Sequence, residues 1–515
     1  MERKEIKLKQ AKALESYWLE SFAPGRFGKL QKNLQTDVLI IGGGIAGLTT
    51  AYLLSQAGRK VVVVDRNLMG TGDSGHTTAH LTIMTDPGYA QIKRRHGKEA
   101  ACLVLESHVT AIRLIESIVE KESIECHLRR IDGYLFSGKK QDRKEMGYEL
   151  EALKAAGCPD AYWLLGGSAP PCQDRPVICL PKQARFHITR YLQGLMSAIL
   201  AAGGKIYDST PVQKVDSGMA MTEDGITIKA NHIVVATHAP IVRELTFLKQ
   251  AAYRTYAAGF RIPKGSIKDA LYWDTEDPYH YVRLEEYDSH NDLLIVGGED
   301  HKTGQIEPEE YARPFEALEQ WTSSRFGAMR HCDYRWSGQV LETMDGLPYI
   351  GKLGYRSDAV YIATGFSGNG MTYGTFAGML VRDLVLGRKN GWSRLYDPSR
   401  KNPASIHDFL AENLNVARAL IGEWVKKPGI ETFEEVRPGE GGIAGCGLKK
   451  FAAYRSPGGT LNLFSAVCPH LGCAVQWNSA EKTFDCPCHG SRFGTDGQVV
   501  NGPAHKSLKR VKSPE

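Results

Sequence analysis

Between Asp37 and Asp65 the chain spells out one β-α-β unit. The run Asp37-Val-Leu-Ile-Ile enters three glycines, and a helical pattern then covers Ala46 to Gln56 until Gly58 stops it. A second apolar run, Lys60 to Val64, ends at Asp65. Strands this uniformly apolar belong in a parallel sheet covered on both faces, which dictates an α/β Rossmann-like domain. Gly42-Gly43-Gly44-Ile45-Ala46-Gly47 at the first turn fits G-x-G-x-x-G. Gly42 permits the tight turn, Gly44 lets backbone amides approach a diphosphate, and Gly47 lets helix and strand close up. The helix N-terminus adds positive potential. Asp65 is placed to accept hydrogen bonds from an adenosine ribose, so a dinucleotide, FAD or NAD, is expected.

At 515 residues the chain exceeds one ordinary core, and two or three domains are expected. Residues 1–35 read as an amphipathic arm anchored by Tyr17 and Trp18. Residues 36–395 read as the nucleotide-binding domain (segments about 36–90, 180–240 and 335–395) interleaved with an antiparallel-sheet substrate domain, 396–430 as a helical linker, and 431–515 as a small all-β domain. Helices are expected over Glu99–Lys121, Ile188–Ala202, Tyr373–Leu386 and Ser405–Trp424. Strands are expected over Tyr253–Arg261, Leu271–Trp273, Tyr279–Leu284 and Asp292–Gly297. The net charge of +6, without a basic block, argues against nucleic acid or an anionic membrane as partner. Met1 to Glu20 has no signal-like apolar region and no apolar run is long enough to span a bilayer, so a cytoplasmic location is expected. Cys102, Cys126, Cys158, Cys172, Cys179, Cys332 and Cys446 follow no spacing rule and read as free thiols.

Three further segments bear on the cofactor. Ile233-Val-Val-Ala-Thr237 is a strand entering a small-residue turn. Thr343-Met-Asp345-Gly346-Leu-Pro348-Tyr-Ile-Gly351 and Gly365-Phe-Ser-Gly368-Asn369-Gly370-Met371-Thr372 supply a second glycine-rich face, the latter ahead of a helix whose amides can stabilise a reduced ring. Together with Asp37–Asp65 and Ser74–Thr82, these segments resemble the D-amino-acid oxidase superfamily, which includes glycine, sarcosine and γ-glutamylputrescine oxidases; the likeness covers about residues 15–390. The resemblance implies FAD, with a substrate held between the isoalloxazine ring and the antiparallel sheet and losing hydride from a carbon that bears an amine. It places the cofactor on Gly42, Gly44, Ile45, Ala46, Gly47, Asp65, Arg66, Thr77, Thr78, His80, Val212 and Thr237. On the second face it uses Asp345, Gly346, Gly365, Gly368, Asn369, Gly370, Met371 and Thr372.

Two positions depart from that pattern. Many amino-acid-oxidising members carry an arginine five residues before the aspartate of Asp-Gly-Leu-Pro, gripping the substrate carboxylate; here that position is Val340, preceded by Gln339. An apolar side chain cannot hold a buried carboxylate, so either the substrate is an amine without one or Arg254, Arg283 or Arg335 substitutes. The run Gly75-His76-Thr77-Thr78-Ala79-His80 is similar to one through which dimethylglycine and sarcosine dehydrogenases link FAD covalently. A hydrogen-bonded His80 is the commoner fate of such a residue. For the substrate face the aromatic and cationic positions Tyr256, Tyr281 and Arg283 are the catalytic candidates, with Tyr272 and Tyr279 beside them.

Near the C-terminus, Cys468-Pro-His470-Leu-Gly-Cys473 and Cys486-Pro-Cys488-His489-Gly490-Ser491 form two knuckles a dozen residues apart. Two thiolates and two imidazoles suit tetrahedral zinc, which leaves Cys473 and Cys488 without a role. They equally suit a Rieske centre, in which Cys468 and Cys486 hold one iron and His470 and His489 the other. The stretch Gly447–Leu508 resembles the Rieske domains of cytochrome bc-type complexes, Gly502-Pro503-Ala504 included. That resemblance implies a [2Fe-2S] cluster, a Cys473–Cys488 disulfide, two exposed histidine ligands, and a Ser491 hydroxyl bonded to a bridging sulfide. Where the family has a tyrosine, Phe493 lacks the hydroxyl that would bond a ligand sulfur, which lowers the expected potential.

The combined expectation is an FAD-dependent dehydrogenase. It takes electrons from a small amine or amino-acid-like substrate and passes them through the cluster to an external acceptor. The alternative is a non-catalytic electron-transfer adaptor serving a partner reductase or oxygenase.

Overall fold

The computed structural model describes residues 14–22, 25–138, 143–164, 171–172, 175–242, 245–327, 329, 331–353, 359–427, 429–446 and 449–512. The first thirteen residues of the expected arm and the side chain of Cys446 lie outside the described part.

The β-α-β unit forms where the apolar runs place it. Leu34–Ile41 lies between Val61–Val64 and Thr227–Val235, all parallel, with Leu39 opposite Val62 and Ile233. The sheet runs in the order Tyr349–Lys352, Val360–Thr364, Thr227–Val235, Leu34–Ile41, Val61–Val64, Lys205–Tyr207. Only the edge strand Tyr349–Lys352 is antiparallel to its neighbour along that path. The helix Ile45–Gln56 is buried from Ile45 to Ser55 because the helix Gly370–Val385 lies directly on it. Gly374 and Gly378, one turn apart, allow that approach: a Cβ at either would meet Ile45 or Thr49 at 2.7 or 2.8 Å.

A second sheet of nine strands packs beside the first, in the order Tyr334–Thr343, Gln250–Pro263, Asn291–Lys302, His280–Glu286, Leu271–Asp274, Arg129–Phe136, Val177–Arg185, His80–Leu81, with Tyr162–Leu164 also paired to Val177–Arg185. Its pairs are antiparallel except Leu271–Asp274 with Arg129–Phe136. Alternation along these strands sends Tyr256, Phe260, Val282 and Leu294 into a core shared with Phe315 and Leu318 of the helix Arg313–Phe326. The opposite face is free to line a cavity. Trp18, in the short helix Tyr17–Ser21, is fully buried; its indole N–H donates to the Thr77 carbonyl (2.6 Å) and the Arg283 guanidinium lies 5.2 Å over its ring.

The C-terminal part builds a three-stranded sheet (Gly441–Cys446, Lys449–Arg455, Leu461–Ser465) and a four-stranded one (Gln476–Asn478, Thr483–Asp485, Arg492–Phe493, Val499–Asn501) around a core containing Trp477, Phe484 and Phe493. The linker helix Ile406–Val425 turns Val416, Ala419 and Leu420 towards that core.

The small domain is fixed to the substrate sheet by a buried ion cluster. Glu481 lies between Arg254 of the sheet (Nε, 3.2 Å) and Arg492 of its own domain (3.1 Å), and it also accepts from the Ser337 hydroxyl and Asn478 Nδ2. Both arginines are almost fully buried. Burial alone would raise the Glu481 carboxyl, but Arg254 and Arg492 outweigh it and hold it at about 2, against an ordinary 4.5. Glu481→Gln leaves two buried cations short of their anion and is expected to cost about 3–5 kcal/mol in urea unfolding. Because the folded-state pKa is depressed, this contribution is complete above about pH 4.5 and is lost as pH falls towards 2, so wild type and variant should converge in that window.

Candidate active site and metal centre

A cavity of about 610 Å³ opens between the two sheets. One end is walled by Gly42, Gly44, Ile45, Ala46, Asp65 and Arg66, with Val212 and Thr237 across from them. Gly42 has φ +114°, and a Cβ there would run into the Ala236 carbonyl. Gly44 sits at the N-terminus of the helix Ile45–Gln56, where a Cβ would meet the Ser74 hydroxyl at 2.9 Å. Asp65 accepts from the Gly43 and Asn67 amides (2.6 and 2.8 Å), which fixes its carboxylate at the cavity edge. A bare backbone cradle at a helix N-terminus, with an acid held beside it, fits the diphosphate and ribose of FAD. Gly47 is outside the lining: its missing Cβ makes room for the Gly42 carbonyl, which is the close packing the motif needs.

Thr77, Thr78 and His80 border the middle of the cavity, as do Gly368, Asn369, Gly370 and Met371. His80 has Nδ1 3.0 Å from the Thr78 hydroxyl and Nε2 3.3 Å from the Val282 carbonyl. Burial and the nearby Arg283 lower its pKa to about 3, so it is neutral. Asp345, Gly346, Gly365 and Thr372 do not border the cavity themselves. The Asp345 carboxylate is held by the Arg400 guanidinium at 2.7 Å through both oxygens, and Gly346 turns at φ +81° against Pro87. A Cβ on Gly365 would press on Thr343, and the Thr372 hydroxyl caps back to the Asn369 carbonyl (3.2 Å). These residues shape the wall from behind.

At the other end stand Thr255, Trp273, Tyr279, Tyr281, Gln339 and Val340. The Tyr281 hydroxyl is 2.6 Å from that of Thr255, and its ring lies 5.5 Å from Tyr279. Tyr256 borders the cavity, but its ring packs on Phe315 and its hydroxyl bonds His301 (2.7 Å). Tyr272 faces the core and bonds the Lys268 carbonyl. Arg283 is also corrected as a substrate-face candidate. Two residues beyond Tyr281 on the same strand, it lies past the cavity and donates to the carbonyls of Ala79, Phe186 and Leu284 and to Glu285. Arg254 is bound to Glu481 and Arg335 to Glu319. Among the described residues, the only arginine that borders the cavity is therefore Arg66, at the far end beside Asp65.

The acids of this chamber were not singled out from sequence. Asp86 borders the cavity with its carboxylate accessible there, and accepts from the Gly368 amide. Burial raises its pKa to about 6, that amide pulling the other way. Its carboxylate and the Tyr279 hydroxyl flank the same face of Gly368. Asp274 and Glu276 border the cavity and bracket His280, whose Nδ1 is 3.0 Å from Asp274 and Nε2 3.1 Å from Glu299. Burial opposes the charge on His280, but those two carboxylates outweigh it and raise its pKa to about 9. Lone Asp and Glu residues in loops carry no sequence signature, and only the fold brings them together.

The two knuckles meet as their spacing demands. Cys473 and Cys488 are joined in a disulfide, and Cys468 and Cys486 are buried beside one another. Hydrogen bonding from Cys486 keeps Cys468 below its ordinary pKa despite burial, with the His470 amide and the Ser491 hydroxyl helping. The His470 and His489 rings are 4.9 Å apart and perpendicular. Burial lowers them to about 4 and about 3, so both are neutral. Among the described residues neither His489 nitrogen has a hydrogen-bond partner, and neither does His470 Nδ1. Two adjacent thiols and two neutral imidazoles with bare nitrogens fit the Cys₂His₂ ligand set of a [2Fe-2S] centre. The expected exposure is corrected for His489, while His470 is half-buried. His489 is 8% exposed because Phe247, in the turn Leu245–Lys249 of the larger domain, lies edge-on to His470 (5.0 Å) and His489 (5.2 Å).

Gln339 joins the two centres: it borders the cavity, and its Nε2 donates to the Gly490 carbonyl (3.0 Å) beside His489. Val500, Asn501, Gly502 and Ala504 of the small domain also line the cavity, and Asn501 bonds Asp73 (3.3 Å).

Comparison with known proteins agrees with both halves. Residues 37–384 match the family described as FAD dependent oxidoreductase, and residues 430–512 match the Rieske [2Fe-2S] domain. The chain is 34% identical over 506 residues to the Rieske 2Fe-2S iron-sulfur protein YhfW of Bacillus subtilis, covering 97% of this chain and 98% of that one. It is 24% identical to the gamma-glutamylputrescine oxidoreductase of Escherichia coli over 72% of this chain and 89% of the relative. In fold it is similar to glycine oxidase from Geobacillus kaustophilus, with TM-score 0.60 and 20% identity over 71% of this chain and 99% of that one. The chain belongs to the FAD dependent oxidoreductase family and carries a C-terminal Rieske [2Fe-2S] domain.

Proposed function

We propose that this oxidoreductase is a dehydrogenase for a cationic amine without an α-carboxylate, whose electrons leave through its own Rieske domain to an external acceptor. The observation that carries the reading is the seating of His470 and His489 against Phe247, with Gln339 touching both Gly490 and the cavity. When bound, FAD supplies two-electron hydride acceptance and the cluster supplies one-electron relay. The chain's own residues supply selection. Val340 offers a carboxylate nothing, and Arg254, Arg283 and Arg335 are engaged elsewhere. Asp86, with the Tyr279 hydroxyl beside it, is an anion aimed at the space where a substrate would lie. Trp273, Tyr279 and Tyr281 present apolar faces that exclude water, and the Tyr281–Thr255 bond fixes one ring. The name of the Escherichia coli relative points to an amine as well.

Anaerobic titration with amines, N-methyl amino acids and polyamines should bleach the flavin absorbance with carboxylate-free amines. Turnover should be fast with a one-electron dye and slow in forming peroxide. If reduced nicotinamide bleaches the flavin and no amine does, the adaptor reading replaces this one. His489→Cys should remove the Rieske paramagnetic signal and leave bleaching by substrate intact; loss of both would speak against separable electron carriers. Asp86 is ionised only above its pKa of about 6, so kcat/KM for a cationic amine should fall as pH drops through that value. In Asp86→Asn the part of the acid limb near pH 6 should be lost, the part set by deprotonation of the reacting nitrogen remaining, with KM raised about tenfold by loss of one charge-assisted contact.

A further inference from the structure

The linker helix Ile406–Val425 is built inside out. Its acids face the protein: Asp408 is bonded to Arg95 (2.7 Å), Glu412 pairs with Lys302, and Glu423 pairs with Gln476. Asn413 also points inward, donating to the Leu248 carbonyl (3.1 Å). Outward it presents Ile406, Leu410, Leu414, Ile421, Trp424 and Val425, each between 38% and 79% exposed. Twenty residues of helix make this strip about 30 Å long. It does not stop at the helix. The Trp424 indole donates to the Gly472 carbonyl (3.2 Å), and the neighbouring Leu471, 54% exposed, extends the apolar surface to the residue beside the ligand His470. Soluble chains seldom leave so long an apolar face bare.

The charges around the strip select its occupant. Of the helix's three carboxylates, Glu412 and Glu423 are turned inward, and Asp408, 41% exposed, is tied to Arg95 on the side away from the strip. Arg418 lies in the strip and Lys427 just past its end, both exposed and neither bonded to an acid among the described residues. A second copy docked by a two-fold axis would set this face against itself, cation-bearing strip on cation-bearing strip, with no acid to answer. Among the described residues no helix is long and apolar enough to cross a membrane. Composition argues against an anionic membrane because no basic block is present, but the fold supplies a continuous exposed apolar strip with local cations. We infer that this face lies flat in the interfacial layer of an anionic phospholipid bilayer, Leu and Ile side chains entering the acyl boundary and Arg418 and Lys427 meeting phosphate, which brings the cluster loop at Leu471 to the lipid surface.

The test uses the holoprotein, co-sedimented with phosphatidylcholine vesicles with and without phosphatidylglycerol, with light scattering of the protein alone alongside. Wild type should partition onto the anionic vesicles, and less so at high salt. Leu410→Ser with Leu414→Ser should lower the partition coefficient about a hundredfold, the order expected from two lost leucine burials. Both positions are exposed, so flavin absorbance and the cluster's paramagnetic signal verify that the variant is folded and loaded. Absence of partitioning by wild type, equal partitioning by the variant, or a wild-type dimer that the same substitutions make monomeric would each overturn the inference.

Discussion

Everything that makes this one machine and not two tethered ones depends on the burial of Glu481 between Arg254 and Arg492. A carboxylate removed from water is tolerable only when cations and hydrogen-bond donors replace its hydration, and here two guanidiniums, a hydroxyl and an amide do so. Such a cluster is geometrically exacting. It allows one docking angle of the small domain on the substrate sheet, and that angle brings His470 and His489 under Phe247 and Gly490 onto Gln339. Gly490 has no Cβ at the point where one would strike Ala252, so the backbone itself forms the contact.

The cavity follows from the same geometry. Its nucleotide end is made of backbone, since a diphosphate is recognised by amides and a helix terminus. Its other end is made of side chains projecting from a curled sheet. An arginine in the second region decides whether carboxylates are welcome. The three that sequence offered for that purpose are used as structural cations: Arg254 between domains, Arg283 under the Thr78–Ala79 turn and against Trp18, Arg335 with Glu319. What remains exposed to the cavity is acidic, chiefly Asp86.

Much of this was legible in the chain. Periodicity placed the helices and strands to within a few residues: the expected strand Tyr253–Arg261 is Gln250–Pro263, and the expected helix Ser405–Trp424 is Ile406–Val425. The glycine turn and the knuckles were readable because their chemistry permits few residue types at fixed spacing. The acids of the chamber were not, because Asp86, Asp274 and Glu276 come from separate loops and strands that only the tertiary fold brings together. Arg283 misled because a cation near aromatics looks the same in sequence whether it faces a substrate or backbone carbonyls. The docking of His489 was equally hidden, since Phe247 lies more than two hundred residues upstream in a turn with no motif of its own.

Asn501 and Gly502 wall a chamber whose opposite wall is Gly42 and Gly44. An early β-α-β turn and a strand of the small domain, far apart in sequence, thus share one room. Residues 34–65 can shape the diphosphate cradle early, but the chamber cannot close until Val499–Asn501 has been made and has folded back. Closure of the flavin chamber is therefore coupled to the folding of the small domain against the larger one.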